Sequence, residues 1–193
     1  ANTSLNHSVN GQIDSWNLRG IGLNPTDEGP DSAWKTNTGS ASTIVAVIDT
    51  GTYLTHPDLS PSLWVNSGET AGNGVDDDNN GAIDDVYGYN FADSLDSNSD
   101  GDFKDPSDVN DANVADINGH GTHVAGIIAG KGNNSEGITG VCFNCKIMSL
   151  KVVNAQGFAY DSDIALAIHY ATDMGAKVIN MSLGGGGYSE SIN

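Results

Sequence analysis

The sequence predicts an α/β fold of three layers, a mostly parallel sheet flanked by helices and incomplete within this chain. Three observations carry this. Thr43 to Ile48 is an unbroken apolar and β-branched run, the mark of a strand covered on both faces. Lys146 to Val153 is a second strand-like run. After it come an amphipathic stretch, Ser162 to Met174, and a third run, Lys177 to Leu183. Strand, helix, strand at this spacing is a βαβ unit, which requires parallel strands.

Residues 1–42 read as an irregular arm laid over a core through Ile13, Trp16, Leu18, Ile21, Leu23 and Trp34. The first strand ends at Asp49, and Thr50-Gly51 turns the chain away. Residues 60–117 form an acidic insertion of Asp/Asn/Gly-rich stretches unfit for a core, and a loop of that length needs an internal organiser. A helix packed through small residues is predicted over 120–130, with loop and turns from Gly130 to Gly140. In the 162–174 helix, Ser162 is the expected N-cap, Ile164, Ile168 and Ala171 line one face, and Gly175 suits a left-handed stop. Gly184 to Gly187 follow the third strand, and no later strand or helix closes the layers. We therefore expect residues 1–193 to be an incomplete portion of a single domain.

The bulk numbers exclude several functions. With 193 residues the chain suffices for one domain with a core. A net charge of −18 and only 7 Lys and Arg argue against nucleic acid and anionic membranes. No run approaches the ~20 apolar residues of a membrane span. Sixteen carboxylates and one base, Lys104, lie between Asp49 and Asp116. Such density marks either a solvated surface or one that holds cations. Cys142 and Cys145 are too few for a closed zinc site. A disulfide in a local turn is the favoured reading, ahead of free thiols and redox catalysis, and it points to an oxidising compartment. The start, Ala1-Asn2-Thr3, fits a processed, secreted chain.

The chemistry gathers at two places. In an open parallel sheet, ligands collect beyond the carboxyl ends of the strands, and Asp49 stands at such an end. A buried carboxylate there needs donors, and an imidazole N–H is an apt one; an Asp that caps the next segment is the plain alternative. Asp-Thr-Gly also occurs in aspartic proteases, but those need a second carboxylate motif, and none is present. Asn118-Gly119-His120-Gly121-Thr122-His123-Val124-Ala125-Gly126 places His120 at a helix start between glycines, where a general base has room for a substrate. His123 reads as a buried, hydrogen-bonded histidine, and His7, His56 and His169 as structural or surface residues.

Both segments resemble the motifs of the subtilisin-like serine proteases, the subtilases. Subtilisin itself is the known example of the chain order Asp, His, Ser, and the order here rests on that likeness. Gly140 to Val153 and Val178 to Gly185 resemble the next blocks of that family. The resemblance implies that Asp49 orients His120, and that His120 shuttles the proton of a serine attacking a peptide. It implies that Ser182, Leu183 and Gly184 form one wall of the primary specificity pocket, while Gly157, Phe158 and Ala159 run beside a polypeptide substrate. The family's Gly-Thr-Ser-x-Ala-x-Pro block and its oxyanion asparagine are absent. The implied partner is a C-terminal fragment of the same protease domain that carries the serine, and this chain alone is expected to be inactive. A non-catalytic, calcium-binding scaffold or pseudoprotease fragment is the second reading.

Asp76 to Asp85 follows the Asp-x-Asp-x-Asn-Gly opening of a calcium loop. Asp76, Asp78, Asn80 and Asp84 are the predicted Ca²⁺ ligands. Tyr87 occupies the place of the bidentate glutamate, so this is no full EF-hand. The family resemblance implies a second calcium site at Asp58, Asn134, Glu136 and Ile138, completed by Gln12 or Asp14. Asp93, Asp96, Asp100, Asp102, Asp105 and Asp108 are candidates for a third.

Overall fold

The computed structural model describes residues 7–9, 12–14, 23, 33–92, 111–134, 137–154 and 157–185. In the N-terminal arm, β1 (His7–Val9) pairs antiparallel with β2 (Gln12–Asp14), and a single helical turn, α1 (Ala33–Thr36), follows. The main sheet contains β3 (Ile44–Asp49), β4 (Gly88–Asn90), β5 (Lys146–Lys151) and β6 (Val178–Asn180). Their order is β4-β5-β3-β6, and every pairing is parallel. Two longer helices, α2 (His120–Ala129) and α3 (Asp161–Asp173), complete the layers.

The pleat explains why β3 is apolar throughout. Successive side chains point to opposite faces. Val45 and Val47, with Ile147 of β5, pack against Val124, Ala125 and Ala129 of α2. Ala46 and Ile48, with Met148 and Leu150, pack against Ile164, Ala167 and Ala171 of α3. Helices on both faces thus bear out the predicted three-layer α/β arrangement.

Local chemistry sets the ends of α3. Gly175 has φ 81°, the left-handed conformation that glycine adopts without penalty. Ala176 N–H donates to Ala171 O at 2.9 Å and Gly175 N–H to Thr172 O at 3.1 Å, the paired bonds of a Schellman stop. The N-terminus departs from expectation. Tyr160 is the N-cap and offers no side-chain bond, while Ser162 lies inside the helix and donates to Asp163 Oδ1 at 3.2 Å. The acidic first turn, Asp161 and Asp163, meets the positive end of the helix instead.

The 60–117 insertion enters the core further than its composition suggested. Leu63, Trp64, Tyr89, Phe91, Ala92 and Val114 are buried, and β4 belongs to the main sheet. A strand of three residues shows no periodicity, so nothing in the sequence marked it. Among the described residues, no helix is long and apolar enough to cross a membrane.

Candidate active site and cation cluster

Asp49 is the last residue of β3, facing Lys151 of β5, and is 1% exposed. His120 is the first residue of α2, and its side chain is 50% exposed. The two meet: Asp49 Oδ1 lies 2.8 Å from His120 Nδ1. Oδ1 also accepts the backbone N–H of Thr50 at 2.7 Å. An ionised carboxylate only accepts, so beside one the imidazole donates through Nδ1. A neutral ring then keeps its lone pair on Nε2, and the side chain is half exposed. A lone pair on Nε2 is able to accept a proton.

Glycines permit this approach. A Cβ on Gly121 would sit 2.2 Å from Gly51 O and 3.1 Å from Asp49 Oδ1. Gly51 has φ 109°, and a Cβ there would meet Val114 O at 2.5 Å. The first turn of α2 leaves orphan N–H groups, and each finds an acceptor. His120 N–H donates to Asn118 Oδ1 at 3.3 Å, Gly121 N–H to Thr50 Oγ1 at 2.9 Å, and Thr122 N–H to Asp116 Oδ2 at 2.9 Å.

Asp116 was not among the residues singled out from the sequence. Burial raises its pKa, but the Thr122 hydroxyl and the N–H groups of Gly119, Thr122 and Asn118 outweigh this and hold it below the ordinary 3.8. A carboxylate depressed in the folded state contributes stability that is complete above the unfolded value and lost as pH falls through the folded one. The melting temperature should thus decline below about pH 4. Asp116→Asn should flatten that decline, and an identical acid profile in both proteins would contradict it.

The other predicted residues lie where the topology sends them. Gly157 to Ala159 follow the carboxyl end of β5, and Ser182 to Gly184 that of β6, the same edge of the sheet on which Asp49 stands. Gly157 and Gly184 face open space, and Phe158 is 67% exposed, while Leu183 packs against the α3-side core. Cys142 and Cys145 are joined in a disulfide. His123 is exposed, contrary to expectation. Gly121, Val124 and Ala125 turn inward, which leaves His123 on the outer face of α2. His56 is structural: its Nδ1 accepts Asp58 N–H at 3.1 Å.

In the calcium-like loop, one carboxylate oxygen from each of Glu69, Asp78 and Asp85 lies within 4.8 Å of the others. This differs from the predicted set. Asp84 turns to the amides of Asn73 and Gly74 at 3.0 and 2.9 Å, and Asp76 to those of Asn80 and Gly81 at 3.1 and 2.9 Å. Asn80 donates its amide to Asp85. Glu69 and Asp85 went unrecognised because Glu69 stands outside the motif and Asp85 adjoins its last predicted ligand. Asp85 is fully buried and receives Asn66, Asn80 and a short bond from Tyr170. The nearby negative charge reaches the core. Burial, reinforced by Asp111 and Asp85, raises Tyr89 to about 12, and burial and Asp85 push Tyr170 up as well.

At the second predicted cation site, Asp58 is buried and accepts Asn134 Nδ2 and the Ile138 N–H, both at 2.7 Å. The three residues are adjacent, but as a set of donors closing on one carboxylate. Glu136, the side chains of Gln12 and Asp14, and Asp93 to Asp108 lie outside the described residues.

A family profile described as "Subtilase family" (Peptidase_S8) matches residues 40–193. The chain is 36% identical over 166 residues to a thermophilic serine proteinase of Bacillus sp. strain AK1, covering 86% of this chain and 32% of the relative. It is 39% identical over 160 residues to halolysin of Haloferax mediterranei, covering 83% and 24%. Among solved structures it resembles fervidolysin of Fervidobacterium pennivorans, described as a keratinolytic enzyme related to subtilisin. There the TM-score is 0.60 at 31% identity, covering 92% of this chain and 21% of the other. A protease of Pseudoalteromonas arctica gives 0.60 at 30% identity, covering 83% and 46%. The chain spans about a third or less of the curated relatives it matches.

Proposed function

The chain belongs to the subtilase family, and on that premise we propose that it supplies two members of an Asp-His-Ser relay in a secreted, calcium-stabilised serine endopeptidase. One observation carries this reading: Asp49 Oδ1 stands 2.8 Å from His120 Nδ1 while the His120 side chain is half exposed. The serine and the oxyanion donor come from a segment outside this sequence, held against the same sheet. In the reaction His120 Nε2 takes the serine proton as the serine oxygen attacks the peptide carbonyl carbon. The ring then returns that proton to the leaving amine, and Asp49 balances the charge of the transient imidazolium. Ser182 to Gly184 and Gly157 to Ala159 line the path of a polypeptide substrate; their glycines leave room for main-chain pairing. Treating the whole protein with a sulfonyl fluoride tests this. Loss of peptidase activity with one labelled serine is expected, whereas calcium binding with no labelled serine would select the scaffold.

Calcium is the proposed ion of the Glu69, Asp78 and Asp85 cluster, a hard cation suited to an all-oxygen donor set. The donors fit: three carboxylates converge, and the wholly buried one, Asp85, has neutral hydrogen-bond partners among the described residues. Its role is to hold the insertion in register with β4. At free calcium 100-fold above Kd, binding stabilises by about 2.7 kcal/mol. Chelation should then lower the melting temperature by roughly 5–10 °C in a domain of this size. An unchanged melt in excess chelator would remove calcium from the account. The disulfide supports an oxidising, extracellular setting.

A further inference from the structure

We propose that Asp116 is a positioning residue for the relay, and that it acts through Thr50 and Thr122 to set the Asp49–His120 contact. The proposal rests on the relay described above. Asp49 and His120 are 71 residues apart in sequence, so their contact depends on how the turn after β3 is pinned to the first turn of α2. The pins are few, and they fall on immediate neighbours of the two residues. Thr50 accepts the Gly121 N–H at 2.9 Å and gives its own proton to Asp116 Oδ1 at 3.0 Å. Thr122 gives its hydroxyl proton to Asp116 Oδ2 at 2.5 Å and accepts the Tyr53 N–H at 3.0 Å.

Asp116 is the common acceptor. Besides the two hydroxyls it takes the N–H groups of Asn118, Gly119 and Thr122 at 2.9, 2.8 and 2.9 Å. Five donors on one carboxylate fix the loop that leads into His120, and fix the direction in which both hydroxyls point. Each hydroxyl has one proton, and because Asp116 takes it, a lone pair stays available for Gly121 in one case and Tyr53 in the other. An amide at position 116 would keep the shape but set an N–H against a donor. Either the Thr122 N–H loses its acceptor, or the Thr122 hydroxyl turns and its bond to Tyr53 weakens. The network joins the turn after β3 to the first turn of α2, so its effect is on geometry.

The test compares Asp116→Asn, Thr122→Val, Thr122→Ser and Asp49→Asn in the whole protein, reading kcat, KM, melting temperature and the low-field NMR signal of the His120 Nδ1 proton. Asp116→Asn and Thr122→Val should each lower kcat about 10- to 100-fold, as for a misplacement approaching 1 Å. KM should stay unchanged, and the Nδ1 proton signal should shift or broaden. Thr122→Ser, which keeps both hydroxyl bonds, should restore kcat and signal. A lower melting temperature with wild-type kcat and an unmoved Nδ1 proton would overturn the proposal. Asp49→Asn separates the two claims: if it too leaves kcat and signal unchanged, the relay itself fails. If it abolishes them while the Asp116 and Thr122 variants do not, only the positioning role fails. Should Asp116→Asn not fold, the Thr122 pair decides by the same outcomes.

Discussion

In the whole protein, His120→Ala should reduce kcat by about 10⁶ with the fold intact, the magnitude known for subtilisin's own relay. Without Nε2 nothing takes the serine proton, and the hydroxyl is left at its ordinary, weakly nucleophilic pKa. His120 is half exposed and forms part of neither core cluster, so truncation removes little packing. Asp49→Asn should cost less, about 10⁴, again the order known for such relays. It keeps the buried shape and the acceptor for the Thr50 N–H, but loses the negative charge that balances the imidazolium. The two losses should not add when combined, because residues acting as one unit are strongly non-additive. Equal kcat for wild type and His120→Ala would end the protease assignment, whatever the family resemblance.

The second large effect concerns two glycines of one helix and has opposite signs. Gly121→Ala should destabilise by about 1–3 kcal/mol, the usual cost of forcing extra volume into a close-packed site. The new Cβ would stand 2.2 Å from Gly51 O. The turn that carries Gly51 is anchored, because the next residue, Thr52, donates its N–H to Val114 O at 2.8 Å. The atoms next in line are Asp49 Oδ1 and Thr50 Oγ1, both 3.1 Å from the added methyl. The strain therefore falls on the relay, and kcat should drop by about 10² even where the variant folds. Gly126→Ala, further along α2, should do the reverse. Among the described residues its Cβ meets nothing nearer than Ile138 Cδ1 at 3.6 Å, an ordinary contact. Replacing a mid-helix glycine by alanine then stabilises by about 0.5–1 kcal/mol. Thermal melts of both variants check the pair; equal shifts of the same sign would show that close approach does not explain Gly121.

Regular and adjacent features were the legible ones. β3 was read because burial on both faces leaves an unbroken apolar run, and α3 because its stripe and Gly175 follow local rules. Where signals depended on distant partners, reading failed. Ser162 has the chemistry of a cap, yet the chain enters the helix two residues earlier, with Tyr160 at the cap. Asp84 has the spacing of a calcium ligand, and its carboxylate also accepts the amides of Asn73 and Gly74, contacts that the spacing did not foretell.

Alone, the sequence determined the α/β class, the parallel sheet and the position of an aspartate at the end of its first long strand. Strand periodicity and strand ends are properties of a few consecutive residues. Only the tertiary structure decided that Oδ1 of Asp49 lies 2.8 Å from His120 Nδ1, that Glu69 joins Asp78 and Asp85, and that Asp116 ties Thr50 to Thr122. These are contacts between segments that packing brings together, and no local pattern encodes a distance across 71 residues.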